Sequence, residues 1–173
     1  MRTVAACFGG LITLFSLVAV VDAAESHCQE QEQVIFSCSL GEKTVSVCAS
    51  NDFSANSGYL QYRFGPLDML ELSFPTVNDA SAPATQFIQA RSLMFAGGGG
   101  GYLRFINGWY HYIVYTAIGK GWGTKDGVAV QRKHQLIANL ECQDVPVSEI
   151  STEFFTRAGL SIDRNEFEIP GLD

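Results

Sequence analysis

The chain has 173 residues, 47% hydrophobic and 17% charged, with a net charge of −7. That is enough for one domain with a sizeable core, and the composition is globular rather than disordered. The acidic balance argues against nucleic acid, whose phosphates need a basic footprint, and it suits a basic extracellular or envelope partner.

The chain starts as an export signal. Arg2 supplies a short positive region, Val4 to Val20 an apolar run, and Val21-Asp22-Ala23 the small residues of a cleavage site. Cleavage after Ala23 is predicted, with Ala24 as the alternative, making 1–23 a signal peptide and 24–173 a single domain. Val4-Ala5-Ala6-Cys7 precedes the apolar run instead of following it, so a lipid anchor is not expected. No later stretch is long enough for a membrane helix, so no stable span is expected after cleavage. The expected location is periplasmic or secreted.

Cleavage leaves Cys28, Cys38, Cys48 and Cys142. Four cysteines in an exported chain point to two disulfides. No Cys-x-x-Cys and no suitably spaced histidine suggests a metal, so neither metal nor cofactor is expected. Val34 to Leu40 and Lys43 to Ser50 read as a hairpin about Gly41-Glu42, with Cys38 on the face of Val45 and Val47 and Cys48 on the other. Opposite faces disfavour Cys38–Cys48 unless a bulge intervenes. Cys142 shares its face with Leu136, Ala138 and Leu140 and is expected to point inward. These faces favour Cys38–Cys142 with Cys28–Cys48; Cys28–Cys142 with Cys38–Cys48 is the alternative.

Residues 24–32 are polar and read as a loose lead-in. After the first hairpin and a loop from Asn51 to Gly58, Leu60, Tyr62 and Phe64 alternate with Tyr59, Gln61 and Arg63. A strand carrying Leu70, Leu72 and Phe74 follows, and matching apolar faces sets Arg63 opposite Glu71. Pro75 to Thr85 reads as a long loop and Gln86 to Ala96 as a strand.

The centre of the chain is a hairpin. Tyr102 to Ile106 and Trp109 to Tyr115 flank Asn107-Gly108, a strong signal for a two-residue turn. Counting outward sets Phe105 against Tyr110, Leu103 against Tyr112 and Arg104 against His111. One face is then apolar core. The other carries Tyr102, Arg104, Trp109, His111 and Tyr115, a mixture of aromatic and basic groups suited to recognition. The competing expectation is that a second layer covers this face, with Arg104 and His111 at its rim. Gly97 to Gly101 leads into a strand and lacks Lys-Ser/Thr, so it is not a phosphate loop. A bulge, a bend, a close approach of two backbones or a mobile lip beside a site is expected there.

Gly119 to Gly127 reads as a glycine-rich loop. Its Trp122 is either a plug over one end of the core or an exposed contact. Val128 to Gln131 and Gln135 to Cys142 form a last hairpin around Arg132-Lys133-His134. A short helix is predicted over about 146–158, with Ser148 as N-cap and Gly159 as stop. The acidic tail from Asp163 to Asp173 is expected to be extended and partly loose. Asp163 and Asn165 lack the glycine and closing glutamate of a calcium loop. The sum is a mainly β domain: an antiparallel barrel or two-sheet sandwich of about eight strands with a C-terminal helix.

Neither Gly-x-Ser-x-Gly nor His-Glu-x-x-His occurs. His27 falls in the lead-in and His134 in a turn, leaving His111 as the one histidine on an expected rigid strand. The favoured reading is a non-catalytic exported binding module using Tyr102, Arg104, Trp109, His111, Tyr115 and Trp122. The alternative is a small hydrolase with His111 as general base.

Phe36-Ser37-Cys38-Ser39, Lys43, Val47-Cys48, Tyr62-Arg63-Phe64-Gly65, Gly97 to Phe105 and Leu140-Glu141-Cys142 together resemble a group of small exported bacterial proteins with no assigned activity. That resemblance spans most of the mature chain. In size, acidity, compartment and strand count the architecture is also similar to the periplasmic lysozyme inhibitors. The second likeness implies lysozyme inhibition as one form of the binding reading and transfers no site residue.

Overall fold

The alternating apolar runs form strands whose inner faces close on one another. The structure, a computed structural model, describes residues 25–76, 86–165 and 167–172; the expected leader and most of the expected 75–85 loop lie outside them. In chain order the strands are β1 (Glu32–Ser39), β2 (Thr44–Ser50), β3 (Leu60–Gly65), β4 (Leu72–Phe74), β5 (Ile88–Phe95), β6 (Gly98–Asn107), β7 (Tyr110–Gly119), β8 (Gly123–Arg132), β9 (Gln135–Glu141), β10 (Val147–Ser148) and β11 (Ser161–Ile162). Helix α1 (Thr152–Arg157) precedes β11. The first sheet runs β10-β1-β2-β3-β4 and the second β11-β5-β6-β7-β8-β9. Every pairing is antiparallel except β11 with β5. Of the two architectures expected, the fold is the sandwich, with short additional strands at the sheet edges.

Between the sheets, Phe36, Val45, Val47 and Tyr62 meet Leu103, Phe105, Val114 and Val128. A bulge between Val34 and Phe36 lets both Ile35 and Phe36 reach the interior and sets Val34 opposite Cys48. Cys48 therefore faces outward, where it bonds Cys28. Cys38 faces inward and bonds Cys142 at the end of β9, stapling one sheet to the other. This is the pairing the alternation favoured.

The lead-in is not loose. It crosses the outer face of the first sheet, where His27 donates its backbone N–H to Ser46 Oγ at 3.0 Å and Ser37 Oγ donates to the Glu25 carbonyl at 2.9 Å. Arg63 sits opposite Ser73 rather than Glu71, and its guanidinium forks onto Glu32 at 2.6 and 2.7 Å. Glu71 pairs instead with Lys43 at 2.7 Å. Burial raises the Glu32 carboxyl, but hydrogen bonds from Arg63, the Gln29 backbone and Tyr59 outweigh it and hold the group low.

Three further expectations are corrected by register. The helix is shorter than expected because Val147-Ser148 pair with β1 as β10; Ser151, not Ser148, is the N-cap, accepting from the Phe154 N–H at 3.2 Å. Gly159, at φ +61°, ends the helix as expected. Gly119 to Gly127 is mostly strand, because β7 runs to Gly119 and β8 resumes at Gly123. In the central hairpin the loop is Gly108-Trp109, so Asn107 pairs with Tyr110, Phe105 with Tyr112 and Arg104 with Ile113. The turn takes its positive φ (+57°) at its first residue, Gly108, which is why the glycine and not the asparagine leads it. The shift moves each pair by one residue per strand, so the assignment of faces survives.

Gly98 to Gly101 belong to β6, and Gly97 turns the chain into it at φ +78°. A Cβ on Gly98 would fall 1.9 Å from the Ile118 carbonyl oxygen, and one on Gly100 2.3 Å from that of Thr116. The run is a close approach of two backbones.

Candidate functional site

The outer face of the central hairpin is a second core. Tyr102 pairs with Tyr115, and Phe167 from the C-terminal segment packs on both rings at 5.2 and 5.9 Å. Ile113, Ala117, Ala129 and Ile169 complete the cluster. Phe167 and Ile169 of the acidic tail are therefore docked, not loose. Burying Phe167 alone contributes on the order of 2 kcal/mol.

Arg104 is fully buried there and ion-paired to Asp163, with Nε to Oδ2 at 2.5 Å. Its Nη1 donates to Gln131 Oε1 at 2.7 Å and lies 3.3 Å from His111 Nδ1, while Nη2 is buried with no hydrogen-bond partner. Tyr102 Oη donates to the same Asp163 oxygen at 2.9 Å. Burial raises both tyrosine hydroxyls to about 12, with Asp163 adding to the effect on Tyr102. Asp163 is also pushed up by burial, but hydrogen bonds from Arg104, the Asn165 N–H and Tyr102 prevail and hold it below the usual aspartate range.

Of the six residues expected to form a recognition face, the structure thus closes Tyr102, Arg104 and Tyr115 beneath Asp163, Phe167 and Ile169. His111 is also buried, at 9% exposure, beside His134 with ring centroids 5.3 Å apart, and burial, Arg104 and His134 lower its proton affinity. Trp109 stands at the turn tip, 67% exposed, with Lys133 Nζ over its ring at 4.9 Å. Trp122 is half-buried against Phe95 over one end of the outer cluster, the plug arrangement. These side chains do not assemble into one open surface. Cys28, Glu32 and Cys48 cluster closely enough to suggest metal ligands, but the two sulfurs are bonded to each other.

An open concavity lies elsewhere. The strands of the second sheet outrun the first, since β6, β7 and β8 have ten residues each and β1 to β3 six to eight. The core rows, Phe105–Tyr112 and Leu103–Val114–Val128, are covered by the first sheet. Next comes Gly101–Thr116–Asp126, where Phe155 and Ile150 of the helix region cover only Gly101. The last row, Met94–Gly99–Ile118–Thr124, emerges from the sandwich.

The result is a groove of about 490 Å³ with a β6–β7–β8 floor and a wall of Asp144 to Pro146. Its lining holds two carboxylates, Asp126 and Asp144, and no basic side chain. Thr116 Oγ1 donates to Asp126 Oδ1 at 2.5 Å; burial raises this carboxyl, and the threonine bond offsets part of the rise. Asp144 is exposed and accepts the Ser39 N–H at 2.9 Å. Apolar side chains stand unpacked at this end: Met94 is 92% exposed, Val145 90% and Ile118 59%. Glycine at 99 keeps the floor low beside them.

Sequence reasoning missed this site. The available signal was Thr124 and Asp126 in two-residue phase with Val128 and Val130, hidden by reading Gly119 to Gly127 as a loop. Comparison with protein-family models, with curated proteins and with solved structures finds no match for this chain.

Proposed function

We propose that this protein is an exported, non-catalytic binding module that receives a basic partner in the groove at the open end of its sandwich. The observation that carries this reading is the groove itself: two carboxylates, no lining cation and an exposed apolar rim, on a chain of net charge −7. A partner's lysine or arginine entering it would gain Asp126 as counter-ion, and the acidic field would speed its approach. The two disulfides favour an oxidising, exported location; with the expected leader, we read that location as periplasmic or secreted. No helix among the described residues is long and apolar enough to cross a membrane.

The hydrolase alternative draws no support from the geometry. His111 Nδ1 faces the Arg104 guanidinium at 3.3 Å, and among the described residues no hydroxyl or thiol is hydrogen-bonded to the ring.

Association with a panel of strongly basic extracellular proteins, several lysozyme types included, is expected to weaken steeply with salt. Asp126→Asn should lower affinity about tenfold or more. Acidification should weaken binding above the ordinary aspartate range, because the Asp126 carboxyl is raised and only its ionised form attracts a cation. Salt-insensitive binding, or none across the panel, overturns the basic-partner reading. Binding unchanged in both Asp126→Asn and Asp144→Asn overturns the groove.

A further inference from the structure

Sheet edges expose unpaired backbone groups, and this fold shields three of its four unequally from the last. The first sheet ends in β10, of two residues, and β4, of three; the second ends on one side in β11, of two. Such short edges offer little backbone of their own; beyond β11 the edge passes to Arg91–Phe95 of β5, which carries a charge and lies beside α1, with Ser92 Oγ bonded to Thr152 Oγ1 at 2.7 Å. The remaining edge is β9, seven residues with neither proline nor a charged residue before Glu141. Cys142 donates its N–H to the Asp126 carbonyl, so antiparallel alternation turns the N–H and C=O groups of Asn139 and Glu141 outward. The outward N–H of Gln143 is already taken by Ser39, which closes the edge only beyond β9. A bulge in β9 near Ile137 interrupts the ladder on β8, and leaves Leu136 and Ile137 half-exposed.

We propose that β9 pairs with β9 of a second copy of this chain. Charge singles out that occupant. The strand begins after Arg132-Lys133-His134 and ends at Glu141, with Asp144 beyond it. Antiparallel pairing about a two-fold axis sets the basic turn of each copy against the acidic end of the other, and the contact is made twice. Leu136 and Ile137 meet their counterparts at the centre, and the exposed Trp109 lies beside the same basic turn. The six-stranded sheets join into one of twelve; the groove opens on the inner face and shares only Asp144, part of its wall, with the acidic end of the paired edge.

Sedimentation velocity on the oxidised mature protein, from low micromolar to near-millimolar, reads the pairing. A concentration-dependent dimer is expected. Lys133→Glu and Glu141→Lys should each shift the transition to about tenfold higher concentration, since each creates two like-charge contacts, and the double swap should restore it. Glu141→Pro removes an outward N–H while leaving the β8 ladder intact, and should abolish pairing. These residues are exposed, and Glu141 gives up only a surface pair at 3.5 Å with Lys125 of its own chain, which contributes little, so the melting temperature should hold to within a few degrees. A monomer at every concentration overturns the proposal, as does a dimer unmoved by these variants.

Discussion

Asp163→Asn should destabilise the protein by about 3–5 kcal/mol, because it strips the counter-ion from a buried guanidinium. Arg104 is 0% exposed and already carries one unpartnered nitrogen, so the orphaned charge has no route to water without unseating the Asp163 and Phe167 cover. A domain of this kind has some 5–15 kcal/mol in all, and the loss is a large share of it. Urea unfolding followed by tryptophan fluorescence and by circular dichroism measures it. Replacing both partners, as in Arg104→Met with Asp163→Leu, should recover much of the loss, since a buried pair contributes little over well-packed apolar groups. A single variant as stable as the wild type would refute the clamp.

The same pair fixes the direction of acid sensitivity. The unfolded aspartate titrates near 3.9, and the folded one lies below it. Its contribution is complete above the unfolded value and is lost as pH falls through the folded one. Glu32, also lowered, acts in the same sense beneath the N-terminal lead-in. His111, lowered from the usual histidine value, adds a loss that begins earlier, as pH drops through the unfolded histidine range. Stability should therefore decline in two stages on acidification, and Asp163→Asn should flatten the second.

The other large effect concerns Cys38–Cys142, which closes a separation of 104 residues and joins the two sheets. Removing it with Cys38→Ala and Cys142→Ala should lower stability by about 4–5 kcal/mol, against about 3 for the Cys28–Cys48 loop, because the unfolded chain gains more freedom from the longer loop. The latter bond spans only 20 residues within the first sheet's outer layer. Parallel urea titrations of the two double variants give the order directly, and equal losses would contradict it.

How legible these features were depended on whether phase or distance set them. Two-residue alternation placed Phe36, Val45, Val47, Leu103 and Phe105 on inner faces, and it survived a turn displaced by one residue because pairing moved in steps that preserve face. It also separated Cys38 from Cys48. Long-range partners were not readable: nothing near Arg63 pointed to Glu32, and nothing near Arg104 pointed to Asp163, 59 residues on. The tail read as loose because its charge masked Phe167 and Ile169, whose alternation with Glu168 is the pattern of a segment with one buried side. The groove was hidden for a different reason. It exists because one sheet overhangs the other, and relative strand length across two sheets is a property of packing that no single stretch encodes.

Mass-resolved oxidative footprinting of the oxidised mature protein tests most directly which surface is open. Met94 and Trp109 should label fast, while Tyr102 and Tyr115, at 0% exposure, should stay protected until the protein unfolds. Tyr102 and Tyr115 labelling as fast as Trp109 would mean that Asp163, Phe167 and Ile169 do not cover the hairpin, and would return the recognition surface to its outer face.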